Sequence, residues 1–199
     1  MNIPGKRFIP FKKHLRVYLY SIRQYYHLRQ LKNQTKRQSQ SYQKPSVINL
    51  NANDICNSKC TMCNIWQRKK EFEISPEQLE VILSDDLYSE VRSVGITGVE
   101  PTLREDLAGL YEACCKNLPN LRGMSIITNA IRTDDVIERI HQVIEVCRRY
   151  GKGFSVMVSL DGYGNTHDVV RGREGNFETA ISVINHFKKT TNVPIAIGC

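Results

Sequence analysis

From Val47 onward, short apolar and β-branched runs alternate with longer stretches whose apolar positions recur every three or four residues. The short runs are VINLNA (47–52), VRSVGIT (91–97), MSIIT (124–128), FSVMVSL (154–160) and VPIAIG (193–198), each of strand length. The longer stretches predict helices from Pro76 to Leu87, near 105–117, near 133–150 and near 177–189. Ser75-Pro76-Glu77 offers an N-cap, a proline at the first helical position and an acid in the first turn. Thr133-Asp134-Asp135 launches the third helix in a similar way. Strands of this length, separated by helical stretches of ten or more residues, mean βαβ units and a parallel α/β sheet. In such sheets and barrels the chemistry gathers at the carboxyl ends of the strands.

The first part of the chain reads differently. Residues 11–31 place Phe11, Leu15, Tyr18, Leu19, Ile22, Tyr25 and Tyr26 on one helical stripe with a basic opposite face. Residues 32–45 are polar, end in Pro45 and read as a linker. The division expected is therefore 1–45, a basic helix and linker, and 46–199, the core domain. Charge sharpens this picture. The net +8 of the 199 residues splits into eleven Lys/Arg and no acid over residues 1–44, followed by 17 bases against 20 acids. The positive excess thus says little about what a site in the body binds. Tyr, Leu and Ile opposed to many Lys and Arg suit docking on the body or a membrane surface. Nucleic acid is not expected, because the aromatics lie on the apolar stripe instead of interleaving the bases.

Composition adds only exclusions. With 41% hydrophobic and 24% charged residues the chain is neither disordered throughout nor collagen-like. No window approaches 18 consecutive apolar residues, so no membrane-spanning helix is predicted. The amino terminus has no apolar signal core. Seven cysteines, an odd count with three crowded together, make a poor disulfide framework, and a reducing cytoplasm is expected.

The three crowded cysteines follow the first strand as Cys56-Asn-Ser-Lys-Cys60-Thr-Met-Cys63. Three thiolates in a polar loop can bind one metal centre. A structural zinc wants four protein ligands, yet no histidine lies between His27 and His141 and no further cysteine precedes Cys114. An iron–sulfur cluster also normally uses four cysteines, and three would leave one iron open to another ligand. Zinc and iron–sulfur both stay open on spacing alone. Cys114, Cys115 and Cys147 sit in helical stretches and read as buried thiols, and His141 and His186 as surface or partly buried residues. Trp66 and Arg68 either pack over the metal loop or anchor it.

These residues resemble the radical S-adenosylmethionine (radical SAM) superfamily across 47–199. The C-x3-C-x2-C loop is similar to the family's cluster loop, with Met62 where an aromatic is commonest. Gly98-Val99-Glu100-Pro101 resembles Gly-Gly-Glu-Pro at the second strand end, and Thr128-Asn129-Ala130 resembles Thr-Asn-Gly at the third. Ser159-Leu160-Asp161-Gly162, followed by His167-Asp168, Arg171-Gly172 and Phe177, resembles the fourth strand end of the branch with carboxyl-terminal auxiliary-cluster domains of the SPASM or twitch type. The resemblance implies that Cys56, Cys60 and Cys63 hold a [4Fe–4S] cluster whose open iron chelates S-adenosyl-L-methionine. Reductive cleavage would give a 5′-deoxyadenosyl radical that abstracts hydrogen from a peptide or small molecule. It further implies that Gly98 and Glu100 hold the cofactor's ammonium group, Ser159 and Arg171 its carboxylate, that Asn129 contacts ligand, and that Asp161 lines the cavity. Arg suits a carboxylate because its fork donates two bonds at once.

The resemblance implies a partial (β/α)6 barrel of the TIM type, of which five strands are legible, and an electron donor of the flavodoxin or ferredoxin kind. The chain is accordingly expected to be the amino-terminal portion of a longer enzyme. The alternatives are an iron–sulfur-binding accessory protein without catalysis, suggested by Val99 and Ala130, and a zinc-binding structural module. The identity of the substrate is not written in these motifs.

Overall fold

The computed structural model describes Tyr26, residues 43–69 and residues 73–199. The helix expected over 11–31 and the linker expected over 32–45 lie outside the described residues, Tyr26 and 43–45 apart. Five strands, β1 (Val47–Asn51), β2 (Ser93–Thr97), β3 (Gly123–Thr128), β4 (Gly153–Ser159) and β5 (Ile195–Gly198), lie side by side in chain order. Every neighbouring pair is parallel. The helices are α1 (Pro76–Leu83), α2 (Leu107–Asn117), α3 (Thr133–Arg149), α4 (Asn165–Arg171) and α5 (Asn176–Thr190). Sequential order with crossovers of one hand keeps the helices on one face, the winding of a barrel and not of a doubly wound sheet.

The two-residue period of the strands sorts their side chains between the faces. On the helix side, Ile48, Val94, Met124 and Phe154 stand in register as one row, and Leu50, Ile96, Ile126 and Val156 as the next. The helices cover these rows with Leu107, Leu110, Tyr111, Ile140, Val143 and Phe187, all fully buried. Tyr111 meets Phe154 edge-on at 5.6 Å, and its hydroxyl donates to the Ser125 carbonyl at 3.0 Å, so the buried phenol keeps a partner. On the opposite face Asn49, Gly95, Ser125 and Ser155 stand in register as one small, polar row. A Cβ on Gly95 would fall 2.7 Å from Asn49 Oδ1, so glycine there makes room for the amide.

Local signals mark some of the helix ends. Ser75 Oγ accepts from Gln78 N at 3.2 Å while Gln78 Oε1 accepts from Ser75 N at 2.9 Å, a capping box that starts α1 as expected. That helix stops at Leu83, short of Leu87, because Asp85 accepts from Leu87 N at 2.8 Å and opens a separate 3-10 turn at Asp86–Tyr88. Asp134 and Asp135 in the first turn of α3, and Arg148 and Arg149 in its last, complement the helix dipole. Helix α4 has no counterpart in the apolar pattern: within its seven residues only His167 is buried, so it carries no apolar stripe. Among the described residues no helix is long and apolar enough to cross a membrane.

Candidate active site

After β1, Ala52 N still donates to Thr97 O at 3.0 Å, and the chain then leaves the sheet as the cysteine loop. This loop is fastened to α4. Lys59 N and Ser58 Oγ both donate to Arg171 O, at 3.0 and 2.8 Å, and Thr61 N donates to Val170 O at 2.8 Å. The last carbonyls of an α-helix lack intrahelical partners, and here the cysteine loop supplies them. From the segment after α4, Arg173 Nε donates to Asn57 O at 2.5 Å. Between the cysteines, Ser58 N lies 3.3 Å from Cys56 Sγ, and Ser58 Oγ lies 3.1 Å from Cys60 Sγ. Burial pushes the Cys56 thiol up, the Ser58 N–H opposes it, and the charges of Glu100 and Cys60 add to the rise.

The second strand end turns on Gly98, whose φ of 133° belongs to glycine and whose Cβ would sit 2.6 Å from Asn51 Oδ1. Val99 needs no such backbone: Ala130 is the one non-glycine residue with positive φ among the described residues. The β-branched departure from the motif is therefore accommodated without left-handed strain. Glu100 is 1% exposed, and its carboxylate is held inside the protein. Oε1 accepts from Thr102 Oγ1 at 2.6 Å, Thr128 Oγ1 at 2.9 Å and Thr102 N at 3.2 Å, and Oε2 accepts from Asn129 N at 2.6 Å. Burial nevertheless raises its pKa, with the hydrogen bonds pulling the other way. The carboxylate thus ties the end of β2 to the end of β3.

Asn129 faces the cysteines. Its Nδ2 donates to Asn57 Oδ1 at 2.8 Å and lies 3.7 Å from Cys56 Sγ, while its Oδ1 accepts from Ile131 N at 3.1 Å. The fully buried Ala130 follows with φ 57°, the conformation for which glycine is suited. Ala130→Gly is expected to stay within about 1 kcal/mol of wild type, lost methyl packing offsetting relieved strain. Ala130→Val should lose roughly 3 kcal/mol, from left-handed strain plus overpacking. Urea unfolding midpoints check both.

At the fourth strand end Ser159 enters the cavity and Arg171 reaches it from α4. Arg171 Nε lies 2.5 Å from Asp161 Oδ2, a charge contact off hydrogen-bond alignment, and Nη1 lies 3.8 Å from Cys60 Sγ. Asp161 was expected to line the cavity; it stands outside the lining and holds Arg171 instead. His167 is fully buried, accepting from Asp161 N at Nδ1 (3.0 Å) with Nε2 3.2 Å from Asn176 Oδ1. With Nδ1 an acceptor, Nε2 carries the proton and donates. Asn176 Nδ2 then donates to Asn129 O at 2.9 Å, so the buried chain links the ends of β4 and β3. Asp168 accepts from Gly175 N and Phe177 N, both at 2.7 Å, at the start of α5. These two motif residues brace the site and do not enter it.

The outcome is one cavity of ≈330 Å³ at the carboxyl ends of the strands. Cys56, Cys60 and Cys63 line it together with Gly98, Glu100, Asn129, Ser159 and Arg171. Ser58, Val99, Ile127 and Thr128 also line it, and the motif pattern had assigned none of them a role. Their signal was position alone, beside motif residues on the same strand ends and loop. Trp66 lines the cavity as well, with Lys59 Nζ 5.8 Å from its ring centroid. Among the described residues, no three or more His, Cys, Asp or Glu side chains converge as the holders of a metal ion. Three thiols spread around a cavity, with N–H and O–H donors beside two of the sulfurs, fit a cluster of several metal atoms. Cys114, Cys115 and Cys147 are buried away from it, and burial pushes Cys114 and Cys147 up to about 12.

Known proteins are similar to this chain. The sporulation killing factor maturation protein SkfB of Bacillus subtilis is 25% identical over 155 residues, covering 77% of this chain and 35% of SkfB. Fe-coproporphyrin III synthase of Methanosarcina barkeri is 35% identical over 144 residues, covering 71% of this chain and 33% of the synthase. Among solved structures, native anSMEcpe with bound AdoMet matches with a TM-score of 0.57 at 25% identity, over 77% of this chain and 43% of that one. The chain spans well under half the length of each of these proteins. Homologues of this kind are enzymes, and their superfamily uses a [4Fe–4S] cluster and S-adenosylmethionine. The Radical SAM superfamily matches residues 50–197, from the end of β1 into β5, and the chain belongs to it.

Proposed function

We propose that this chain carries the core of a radical SAM enzyme acting on a peptide or small-molecule substrate, served by a flavodoxin- or ferredoxin-like electron donor. The observation that carries this reading is the meeting of three loop thiols with Gly98, Glu100, Asn129, Ser159 and Arg171 around one cavity. Cys56, Cys60 and Cys63 would hold the [4Fe–4S] cluster, and the strand-end residues would seat S-adenosylmethionine. When bound, the two together supply a one-electron cleavage whose product takes a hydrogen atom from substrate.

The chain's own residues have separable tasks in this reading. Asn129 Nδ2 and Ser58 place N–H and O–H donors beside Cys56 and Cys60, which stabilises thiolate sulfur. Asp161 holds the Arg171 guanidinium from behind, so its fork is oriented before a carboxylate arrives. Glu100 fixes the spacing of the β2 and β3 ends, with Gly98 making the left-handed turn beside it.

The test is anaerobic reconstitution with iron and sulfide, followed by reduction in the presence of S-adenosylmethionine. Brown charge-transfer absorbance and release of 5′-deoxyadenosine and methionine are expected. A demonstrably loaded cluster that yields no 5′-deoxyadenosine overturns the catalytic reading. A colourless protein that retains zinc overturns the cluster itself.

A further inference from the structure

Arg104 lies outside the cavity and belongs to none of the motifs, yet it is a buried cation, its side chain 3% exposed. A buried charge persists only when it is paired and hydrogen-bonded, and its partners are informative. Nη1 donates to Ala52 O at 2.6 Å and Nη2 to Ile74 O at 2.9 Å. Nε and Nη2 also donate to Asp106 Oδ1 and Oδ2, at 2.8 and 2.6 Å. Ala52 is where the chain leaves β1 for the cysteine loop, and Ile74 is where it returns, one residue before the cap of α1. One guanidinium therefore bonds both the residue where the chain leaves β1 and the residue just before the cap of α1. Asp106 occupies the N-cap position of α2 but makes no side-chain cap bond, its carboxylate being turned to Arg104 instead.

We propose that Arg104, oriented by Asp106, is the positioning residue of the cysteine loop: it closes the loop at its base and thereby sets where Cys56, Cys60 and Cys63 stand. The proposal rests on the reading that this loop holds the cluster. Arg is required because a planar fork serves two carbonyls and a carboxylate at once, which the single ammonium of lysine cannot do in that geometry. The segment 100–106 also supplies Glu100, whose carbonyl accepts from Asn53 Nδ2 at 2.7 Å, so the start of the loop is tied to the strand end that lines the cavity.

The experiment compares Arg104→Gln, Arg104→Lys and Asp106→Asn by hydrogen exchange on the metal-free protein and by electron paramagnetic resonance and midpoint potential after reconstitution. In Arg104→Gln the amides of Lys59 and Thr61, which anchor the loop to α4, should exchange roughly tenfold faster or more, the equivalent of one lost charge-assisted bond. Ile126 and Val156, in the sheet, should keep wild-type protection, while the cluster's line shape and potential shift. Arg104→Lys should fail to rescue, and Asp106→Asn should show the same pattern more weakly. Wild-type exchange at Lys59 and Thr61 with a wild-type spectrum overturns the proposal, as does full rescue by lysine. Loss of protection spread evenly over the sheet, in whichever of the three variants folds, also overturns it. Exchange is read without metal, so a wild-type protein that takes up no cluster would sink the proposed function and leave this test standing.

Discussion

Replacing Gly172 by alanine is expected to cost about 4–5 kcal/mol and to abolish cluster uptake. Gly172 ends α4 with φ 62°, and a Cβ there would lie 2.3 Å from Lys59 O and 2.9 Å from Lys59 C. Both are backbone atoms of the cysteine loop, so no side chain can swing aside. Left-handed strain contributes roughly 1–2 kcal/mol. Moving the loop away also breaks the bonds from Lys59 N, Ser58 Oγ and Thr61 N to the end of α4, each contributing about 1 kcal/mol. Gly175→Ala is the control: its φ is 76°, but nothing lies within 4 Å of its Cβ position, so it should cost only the strain. Denaturant midpoints of the two variants, with iron content after reconstitution, separate loop contact from backbone strain. Equal losses in both would refute the contact argument.

Glu100→Ala should destabilise by about 2–5 kcal/mol, because the buried amides of Thr102 and Asn129 lose their acceptor. The two threonine hydroxyls can rotate and lose less. Glu100→Gln keeps one oxygen but turns an NH2 group toward those donors, so it should also be less stable at neutral pH. It carries a second, sharper signature. Burial raises the folded pKa of Glu100 above its ordinary value of 4.5. Between 4.5 and the folded value the native state still holds a proton that the unfolded state has released. Stability from this group is therefore full in acid, falls as pH rises through that window and levels off above it. Glu100→Gln should remove this part of the slope. Urea unfolding of wild type and variant across the acid-to-neutral range measures the difference, and superimposable slopes would show that Glu100 does not titrate there.

Local patterning carried much of the architecture. The runs around Val94, Ile126 and Val156 could bury their alternate residues only against a layer of helices, and the stripe through Val136, Ile140 and Val143 could form only an amphipathic helix. Ser75 and Gln78 close their capping box within one turn, so their neighbours alone predict it. The three cysteines are as legible, because their spacing is a local property and thiols so close together have few other uses.

Bonds between residues far apart in the chain were not legible. Helix α4 has no apolar stripe, and it exists in this place because its final carbonyls receive the cysteine loop, more than a hundred residues earlier in the chain. In the sequence Arg104 is one base among 28, and only the folded chain brings its fork to both Ala52 and Ile74. Motif similarity put Glu100 and Asp161 at the site, but folding decided their work. Glu100 gathers the ends of β2 and β3, and Asp161 backs Arg171. Spacing along a strand or turn is written in neighbouring residues. Which donor meets which acceptor across the sheet depends on the register of all five strands at once, and that exists only in the folded protein.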